Sequence, residues 1–198
     1  PSGLTPHYPV VGLLPGSRTE EIRNLLPVMV KSIEILRRHY PEILCLLPVA
    51  STIKPEFIQA HIDSPSLDIR VIKGGIYEVL RACDIALVAS GTVTLETAIM
   101  GVPLIIVYKV SPVTYWLGRM VIKVPYIGLV NLVAGQKVAP ELIQGQVVPD
   151  RLAHEALNIL EDTEATEKMK EKLKGIREDL GRGGASEKTA RIAMEMME

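Results

Sequence analysis

Short apolar runs alternate with helical patterns from the start of the chain to about Pro149, and this alternation restricts the fold more than any other feature. The runs are rich in β-branched residues and cover 9–14, 42–49, 67–73, 84–89, 103–108 and, more weakly, 126–131. Such uniformly apolar runs are typical of strands buried on both faces. The clearest helical pattern, with apolar residues at three- and four-residue spacing, covers 20–40. Because strand–helix–strand units form right-handed crossovers, the sequence predicts an α/β fold: a doubly wound, Rossmann-like parallel sheet of about six strands with helices on both faces.

The last 50 or so residues follow a different pattern, because the apolar runs stop at about Pro149 and helical patterns take over. Two helices are predicted between 149 and 180. The glycine-rich stretch "GRGGAS" then separates them from a last short helix. We therefore expect a Rossmann-like domain over 1–180 and a separate C-terminal crossover helix over 181–198.

Composition narrows the range of partners. The formal net charge is -1, which argues against binding to nucleic acid through bulk electrostatics. Cys45 and Cys83 lie in or beside apolar runs without metal-ligand spacing, so we expect two buried thiols and no metal site. No uncharged apolar run approaches the roughly 18 residues that a membrane span needs, so we expect a chain that at most lies on a membrane.

The first loop that could bind a ligand is "LLPGSRTEE" (13–21), between the first predicted strand and the first predicted helix. In parallel sheets, ligands bind beyond the carboxyl ends of the strands, where such loops lie. Gly16 permits a tight turn, and Ser17 and the amides after it can face an anion. The Arg18 guanidinium can donate two parallel hydrogen bonds to a phosphate. A Pro-Gly turn followed by a helix cap explains the same residues equally well.

The second loop, "ASGTVTLE" (89–96), follows the fourth predicted strand. Ser90, Gly91 and Thr92 place two hydroxyls and open amides at a helix N-terminus, which attracts phosphate. Glu96 lies one turn later on the same side, where a carboxylate could accept hydrogen bonds from ribose hydroxyls. A serine cap with a first-turn acid has the same spacing, and spacing alone slightly favours that structural interpretation.

Two further segments are ambiguous. The paired glycines Gly74 and Gly75 could surround a nucleobase with backbone atoms or could form a simple turn. Residues 111–135 contain the only tryptophan together with tyrosines and basic residues. That composition fits a helix lying against lipid, but a helix packed in the core explains it better.

Three stretches together resemble one known family: "LLPGSRTEEI" (13–22), "ASGTVTLETAIMGVPLIIVYKVSPVTYWLGRMVIKVPYIGLVNLVAG" (89–135) and "VAPELIQ" (138–144). They are similar to the C-terminal half of the lipid-A-disaccharide synthases, glycosyltransferases of Gram-negative bacteria with the GT-B fold. The similarity extends over nearly the whole chain in the same order. The Ser-Gly-Thr and Glu portion is shared with other nucleotide-sugar enzymes of that fold, whereas 111–135 points to this family.

The resemblance implies a reaction. The family transfers 2,3-diacylglucosamine from UDP-2,3-diacylglucosamine to 2,3-diacylglucosamine 1-phosphate, giving lipid A disaccharide 1-phosphate and UDP, without a metal or other cofactor. In GT-B enzymes the C-terminal half binds the donor, and the N-terminal half binds the acceptor and carries the base. The chain begins at Pro1 rather than at methionine, and we expect it to be the donor half of a longer protein. No catalytic residue is then expected within it, and it should be inactive alone.

Roles for individual residues also follow from the resemblance. Gly16, Ser17 and Arg18 would border the donor phosphates, and Ser90, Gly91 and Thr92 would bind them. Glu96 would hold the ribose, and Asn131 would lie near the donor sugar. The nucleobase would fall near Lys73 and Gly74. 

The family also suggests partners. These are the N-terminal half, a second protomer that exchanges C-terminal segments, and the cytoplasmic surface of the inner membrane. Two alternatives remain open at this point. One is another UDP-sugar enzyme of the GT-B fold, such as a UDP-N-acetylglucosamine 2-epimerase or the peptidoglycan N-acetylglucosaminyltransferase. The other is a non-catalytic nucleotide-binding module.

Overall fold

A computed structural model describes residues 8–111, 114–116, 124–180 and 185–196. Over these ranges six strands form one sheet in the order β3-β2-β1-β4-β5-β6, and every neighbouring pair is parallel. The strands are β1 (Val10–Leu14), β2 (Leu44–Val49), β3 (Asp68–Lys73), β4 (Ile85–Ala89), β5 (Leu104–Tyr108) and β6 (Glu141–Ile143). The predicted doubly wound parallel sheet is confirmed.

Burial along the strands follows their place in the sheet. The central strands β1 and β4 are continuous apolar runs, "VVGLL" and "IALVA", and almost all of their residues are buried. The edge strand β3 reads "DIRVIK" and is exposed at four of its six positions. Charged side chains on this edge discourage pairing with a further strand.

Helices cover both faces of the sheet. They are α1 (Thr19–Leu36), α2 (Pro55–Gln59), α3 (Ile76–Ala82), α4 (Val93–Ile99), α5 (Leu129–Ala134), α6 (Pro149–Glu161), α7 (Thr163–Leu180) and α8 (Ala185–Glu195). Alternate residues of β4 enter two separate cores: Ile85 and Leu87 pack in the core that contains α1 and α6, whereas Ala86 and Val88 pack in the core that contains α3, α4 and α7. The connections after β1 and β4 therefore leave the sheet toward opposite faces.

The weak strand predicted over 126–131 is wrong. Leu129–Ala134 is a helix, and the sixth strand is the three-residue Glu141–Ile143, which pairs with β5. The physical reason lies at Gly128, where an added Cβ would stand 2.4 Å from Cδ1 of Ile106. The chain here packs directly over β5 instead of extending beside it.

The C-terminal helices agree with the prediction from the sequence: α6 and α7 fill 149–180, and α8 follows the glycine-rich stretch, of which 181–184 lie outside the described residues. Three large apolar side chains are exposed here, those of Ile192 and Met194 in α8 and of Met196 just after it. None of the helices described is both long enough and apolar enough to cross a bilayer.

Candidate functional site

A cleft lies at the carboxyl ends of the strands, between the loops that follow β1 and β4. These strands are neighbours in the sheet, but the helices after them, α1 and α4, pack on opposite faces. Loops that diverge in this way leave a crevice, which is the usual ligand site of an open parallel sheet. The crevice has a volume of about 740 Å³.

Its first side is the loop after β1. Gly16 has a φ of 105°, which side-chain-bearing residues rarely adopt, and a Cβ there would lie 2.1 Å from Oε2 of Glu21. The Glu21 carboxylate reaches back from the first turn of α1 to the Arg18 guanidinium, with Nη1 and Oε1 3.2 Å apart. The Arg18 side chain is 82% exposed and that of Glu21 is 27% exposed. The guanidinium thus lies at the mouth of the cleft, held by an ion pair that is weak enough to open.

Glu21 also lines the cleft, and it was not among the predicted site residues. Its spacing gave a signal, since an acid three residues after a helix N-cap is typical of a capping box, and Arg18 occupies the N-cap of α1.

The second side is the loop after β4, where several polar groups are open. The backbone amides of Gly91, Thr92 and Val93 donate to no acceptor among the described residues. Over the same ranges the Thr92 hydroxyl and the half-buried Glu96 carboxylate have no hydrogen-bond or ion-pair partner. Three donor amides, a hydroxyl and a carboxylate therefore face the cleft within about one helical turn.

Ser90 differs from its neighbours because its hydroxyl already has an acceptor. Its Oγ donates to the carbonyl oxygen of Ile127 at 3.1 Å, and its amide donates to Val107. The hydroxyl can accept a hydrogen bond from a ligand, but it can donate one only by releasing Ile127.

The third side carries few polar groups. Gly74 and Gly75 follow β3 with φ values of 68° and 65°, and an added Cβ at Gly74 would meet nothing within 4 Å. The apolar side chains beside them belong to Leu14, Val49 and Ile76. A flat ligand such as an aromatic ring could hydrogen-bond to backbone atoms on this side and pack against its apolar side chains.

Eight of the nine predicted site residues line this one cleft: Gly16, Ser17, Arg18, Gly74, Ser90, Gly91, Thr92 and Glu96. Asn131 does not. It is fully buried, its Nδ2 donates to Ala139 and Glu141, and its Oδ1 accepts from the amides of Val138 and Ala139. The prediction that Asn131 is a substrate-binding residue near the donor sugar is therefore not supported by this geometry, because every hydrogen-bonding group of its side chain is already paired within the chain.

The charged lining suits a ligand that presents both an anion and hydroxyl groups. Among the described residues of the cleft, the ionisable side chains are those of Arg18, Glu21 and Glu96. Backbone amides can hold an anion without a formal charge, and a carboxylate can accept hydrogen bonds from hydroxyl groups. Within the described ranges no cluster of histidine, cysteine or acidic side chains could hold a metal ion.

Solved structures with similar architecture place this fold in a class. The UDP-GlcNAc 2-epimerase from Neisseria meningitidis, bound to UDP-GlcNAc, superposes on 97% of this chain and 46% of its own with a TM-score of 0.62 and 16% identity. The calicheamicin glycosyltransferase CalG4 superposes on 96% of this chain and 44% of its own with a TM-score of 0.61 and 15% identity. The chain therefore has the Rossmann-like fold found in one half of GT-B glycosyltransferases.

Sequence comparisons are more specific. The sequence model of the family described as lipid-A-disaccharide synthetase matches residues 2–196. The lipid-A-disaccharide synthases of Geobacter metallireducens and Nitrosococcus oceani are 46% and 45% identical over 98% and 99% of the chain. The chain belongs to the lipid-A-disaccharide synthase family, as its motifs predicted. It spans about half the length of these relatives, 51% and 50% respectively.

Proposed function

We propose that this chain is the donor-binding half of a glycosyltransferase that forms the lipid A disaccharide. The donor would be UDP-2,3-diacylglucosamine and the acceptor 2,3-diacylglucosamine 1-phosphate, with UDP as the second product. Family membership supports the reaction. The observation that carries the assignment to this cleft is that the amides of Gly91–Val93 and the nearby Glu96 carboxylate have no partner among the residues that the structure describes.

The geometry suggests how a UDP-sugar would lie. The diphosphate takes the open amides at the start of α4 and the hydroxyl of Thr92, and Arg18 turns toward it from its exposed pair with Glu21. The ribose hydroxyls donate to Glu96. The uracil lies against Gly74 and the apolar wall.

Transfer of the sugar leaves negative charge on the departing UDP. Donors that already point at the phosphate oxygens stabilise that charge without reorganising, which lowers the barrier to departure. The acceptor and the base that deprotonates its hydroxyl would come from the other half of the enzyme. This chain alone would bind UDP weakly and transfer nothing, because half of the contacts to the transition state would be absent.

Exposed apolar side chains support further partners. Ile192 and Met194 of α8, with Met196 just after it, offer a surface for the other half of the enzyme or for a neighbouring protomer that exchanges this segment. Trp116, Val124, Leu132 and Val133 are exposed in and around 111–135, where the acyl chains of the substrates or the inner-membrane surface could lie. Arg119 and Lys123 of that segment lie outside the described residues. A cytoplasmic protein associated with the inner membrane would meet both the UDP-sugar and the lipid.

Calorimetric titration of the purified protein with UDP tests the proposal, with ADP as the comparison nucleotide. We expect UDP to bind in preference to ADP. Glu96→Gln should lose about 1 to 3 kcal/mol of binding free energy, the usual value of a hydrogen bond to a charged group. Glu34→Gln is the matched control, because Glu34 is exposed on α1 away from the cleft. Unchanged affinity in Glu96→Gln would contradict the ribose assignment, and absence of UDP binding by a folded protein would contradict the donor site.

A further inference from the structure

One wall of the cleft is held by hydrogen bonds to a side chain that does not line it. Ile127 and Leu129 face the cleft just before and within the start of α5. The amides of Ile127 and Gly128 both donate to the carboxylate of Glu141, at 3.0 Å to Oε2 and 3.0 Å to Oε1. Two successive amides on the two oxygens of one carboxylate fix the position and the orientation of the turn.

Glu141 is itself firmly placed. It is the first residue of β6, and that strand pairs with β5 at Ile106. Asn131 donates to Oε1 of Glu141 at 2.8 Å and is in turn held by the backbone of Val138 and Ala139. All buried side-chain polar atoms in the described ranges have a partner, so this cluster is fully satisfied. Glu141 is half-buried and Asn131 is fully buried. A satisfied network of this kind restrains its members, because displacement would leave the buried groups around Asn131 unpaired.

The cluster continues into the loop after β4. The carbonyl oxygen of Ile127 accepts the Ser90 hydroxyl at 3.1 Å, and Ser90 directly precedes the open amides of the cleft. A continuous set of hydrogen bonds therefore runs from Glu141 through Ile127 to Ser90. Neither Glu141 nor Asn131 lines the cleft.

We propose that Glu141 is a positioning residue of this cleft: its carboxylate holds the Ile127–Leu129 wall and, through Ile127, the loop that carries Ser90. This inference rests on the proposed function, since it assigns the held groups to the UDP-sugar site. It also assigns a role to the buried Asn131, whose side-chain amide donates to Oε1 of Glu141 and so orients that carboxylate.

The test compares Glu141→Ala and Glu141→Gln with the control Glu34→Gln. UDP affinity is measured at a temperature at which every variant is fully folded. We expect about a tenfold loss of affinity in Glu141→Ala and a smaller loss in Glu141→Gln, because the amide keeps one acceptor oxygen in place. In a double-mutant cycle, Ser90→Ala and Glu141→Gln should be less than additive, because both interrupt the same set of hydrogen bonds.

Hydrogen exchange of the ligand-free protein is the second readout. Peptides covering 124–131 should exchange faster in Glu141→Ala than in the parent, and Glu34→Gln should match the parent. Unchanged exchange would overturn the proposal. Faster exchange with unchanged UDP affinity would overturn it too, by showing that Glu141 serves stability alone. A parent protein that binds no UDP would refute the proposed function and the link to nucleotide, and the exchange result would then separately decide whether Glu141 holds the wall.

Discussion

Replacement of Gly16 by alanine tests the geometry of the first loop most sharply. The backbone at Gly16 has a φ of 105°, and the new Cβ would lie 2.1 Å from Oε2 and 3.0 Å from Cβ of Glu21. An unfavourable backbone conformation of this kind costs about 1 to 3 kcal/mol. Displacement of Glu21 also removes its exposed pair with Arg18, which contributes about 0 to 1 kcal/mol. We expect Gly16→Ala to lower the free energy of unfolding by about 1 to 4 kcal/mol, the sum of these two contributions.

The matched control is Gly101→Ala. Gly101 has a φ of 73°, but an added Cβ there would meet nothing within 4 Å, so only the backbone cost applies. That cost is about 1 to 2 kcal/mol for a residue in the left-handed region. For a chain of this size, each kcal/mol lowers the Tm by about 2 to 4 °C, so calorimetry or thermal circular dichroism can separate the two variants.

A third variant isolates the clash. In a Glu21→Ala background the carboxylate is gone, so Gly16→Ala should cost about 1 kcal/mol less than it does in the parent. If Gly16→Ala were no more destabilising than Gly101→Ala, and Glu21→Ala did not reduce its cost, the packing of Glu21 against Gly16 would be refuted.

The other predictions concern buried polar groups. Asn131→Ala should lower the free energy of unfolding, measured by urea denaturation, by about 2 to 4 kcal/mol, because the amides of Val138 and Ala139 lose their acceptor. The control Asn158→Ala, on the exposed side of α6, should change it by less than about 0.5 kcal/mol. Equal effects of the two variants would argue against the buried hydrogen bonds of Asn131. Burial raises the pKa of Cys45 and of Cys83 from 9.0 to about 12, so both thiols should resist alkylation at pH 8 until the protein unfolds. The folded state keeps protons that the unfolded chain releases above pH 9. The stabilisation from each thiol is therefore complete below pH 9 and declines as the pH rises toward 12, by at most about 1.4 kcal/mol per pH unit. A Cys45→Ala, Cys83→Ala variant should show a smaller decline between pH 8 and 10, and an unchanged decline would contradict the assigned cause.

Much of the sheet could be predicted because its signal is local. The apolar runs predicted β1, β2, β4 and β5, since a strand buried on both faces needs such a run wherever it lies. The run at 67–73 predicted the position of β3, but burial on both faces was wrong there, because β3 is an edge strand exposed at four of its six positions. The sixth strand was misplaced because β6 has only three residues and begins with the polar Glu141, whose carboxylate is used across the turn rather than at the surface. The apolar run at 126–131 attracted the prediction, but packing against Ile106 decided its conformation.

Most of the candidate site could also be predicted, since eight of the nine predicted residues line the cleft. Gly16, Ser90 and Glu96 were selected because the loops after strands of a parallel sheet meet at one edge, a rule that needs no knowledge of distant contacts. Asn131 was placed in the cleft because the family resemblance suggested it, whereas its burial depends on Val138, Ala139 and Glu141 folding around it. Hydrogen bonds between residues of different elements leave no periodic signal in the sequence, so the contacts of Glu141 with Ile127 and Gly128 became visible only in the fold.

The most direct test of the central claim is to follow assigned backbone amide resonances of the purified protein during titration with UDP. We predict the largest shifts at Ser17 and Arg18, at Gly74 and at Gly91–Val93, with saturation at a single dissociation constant and smaller shifts with ADP. The second cleft, at the amino ends of β1 to β3 near Glu42 and Ser66, should be unaffected. Shifts concentrated near Glu42 and Ser66, with Gly91–Val93 unchanged at saturation, would contradict the account.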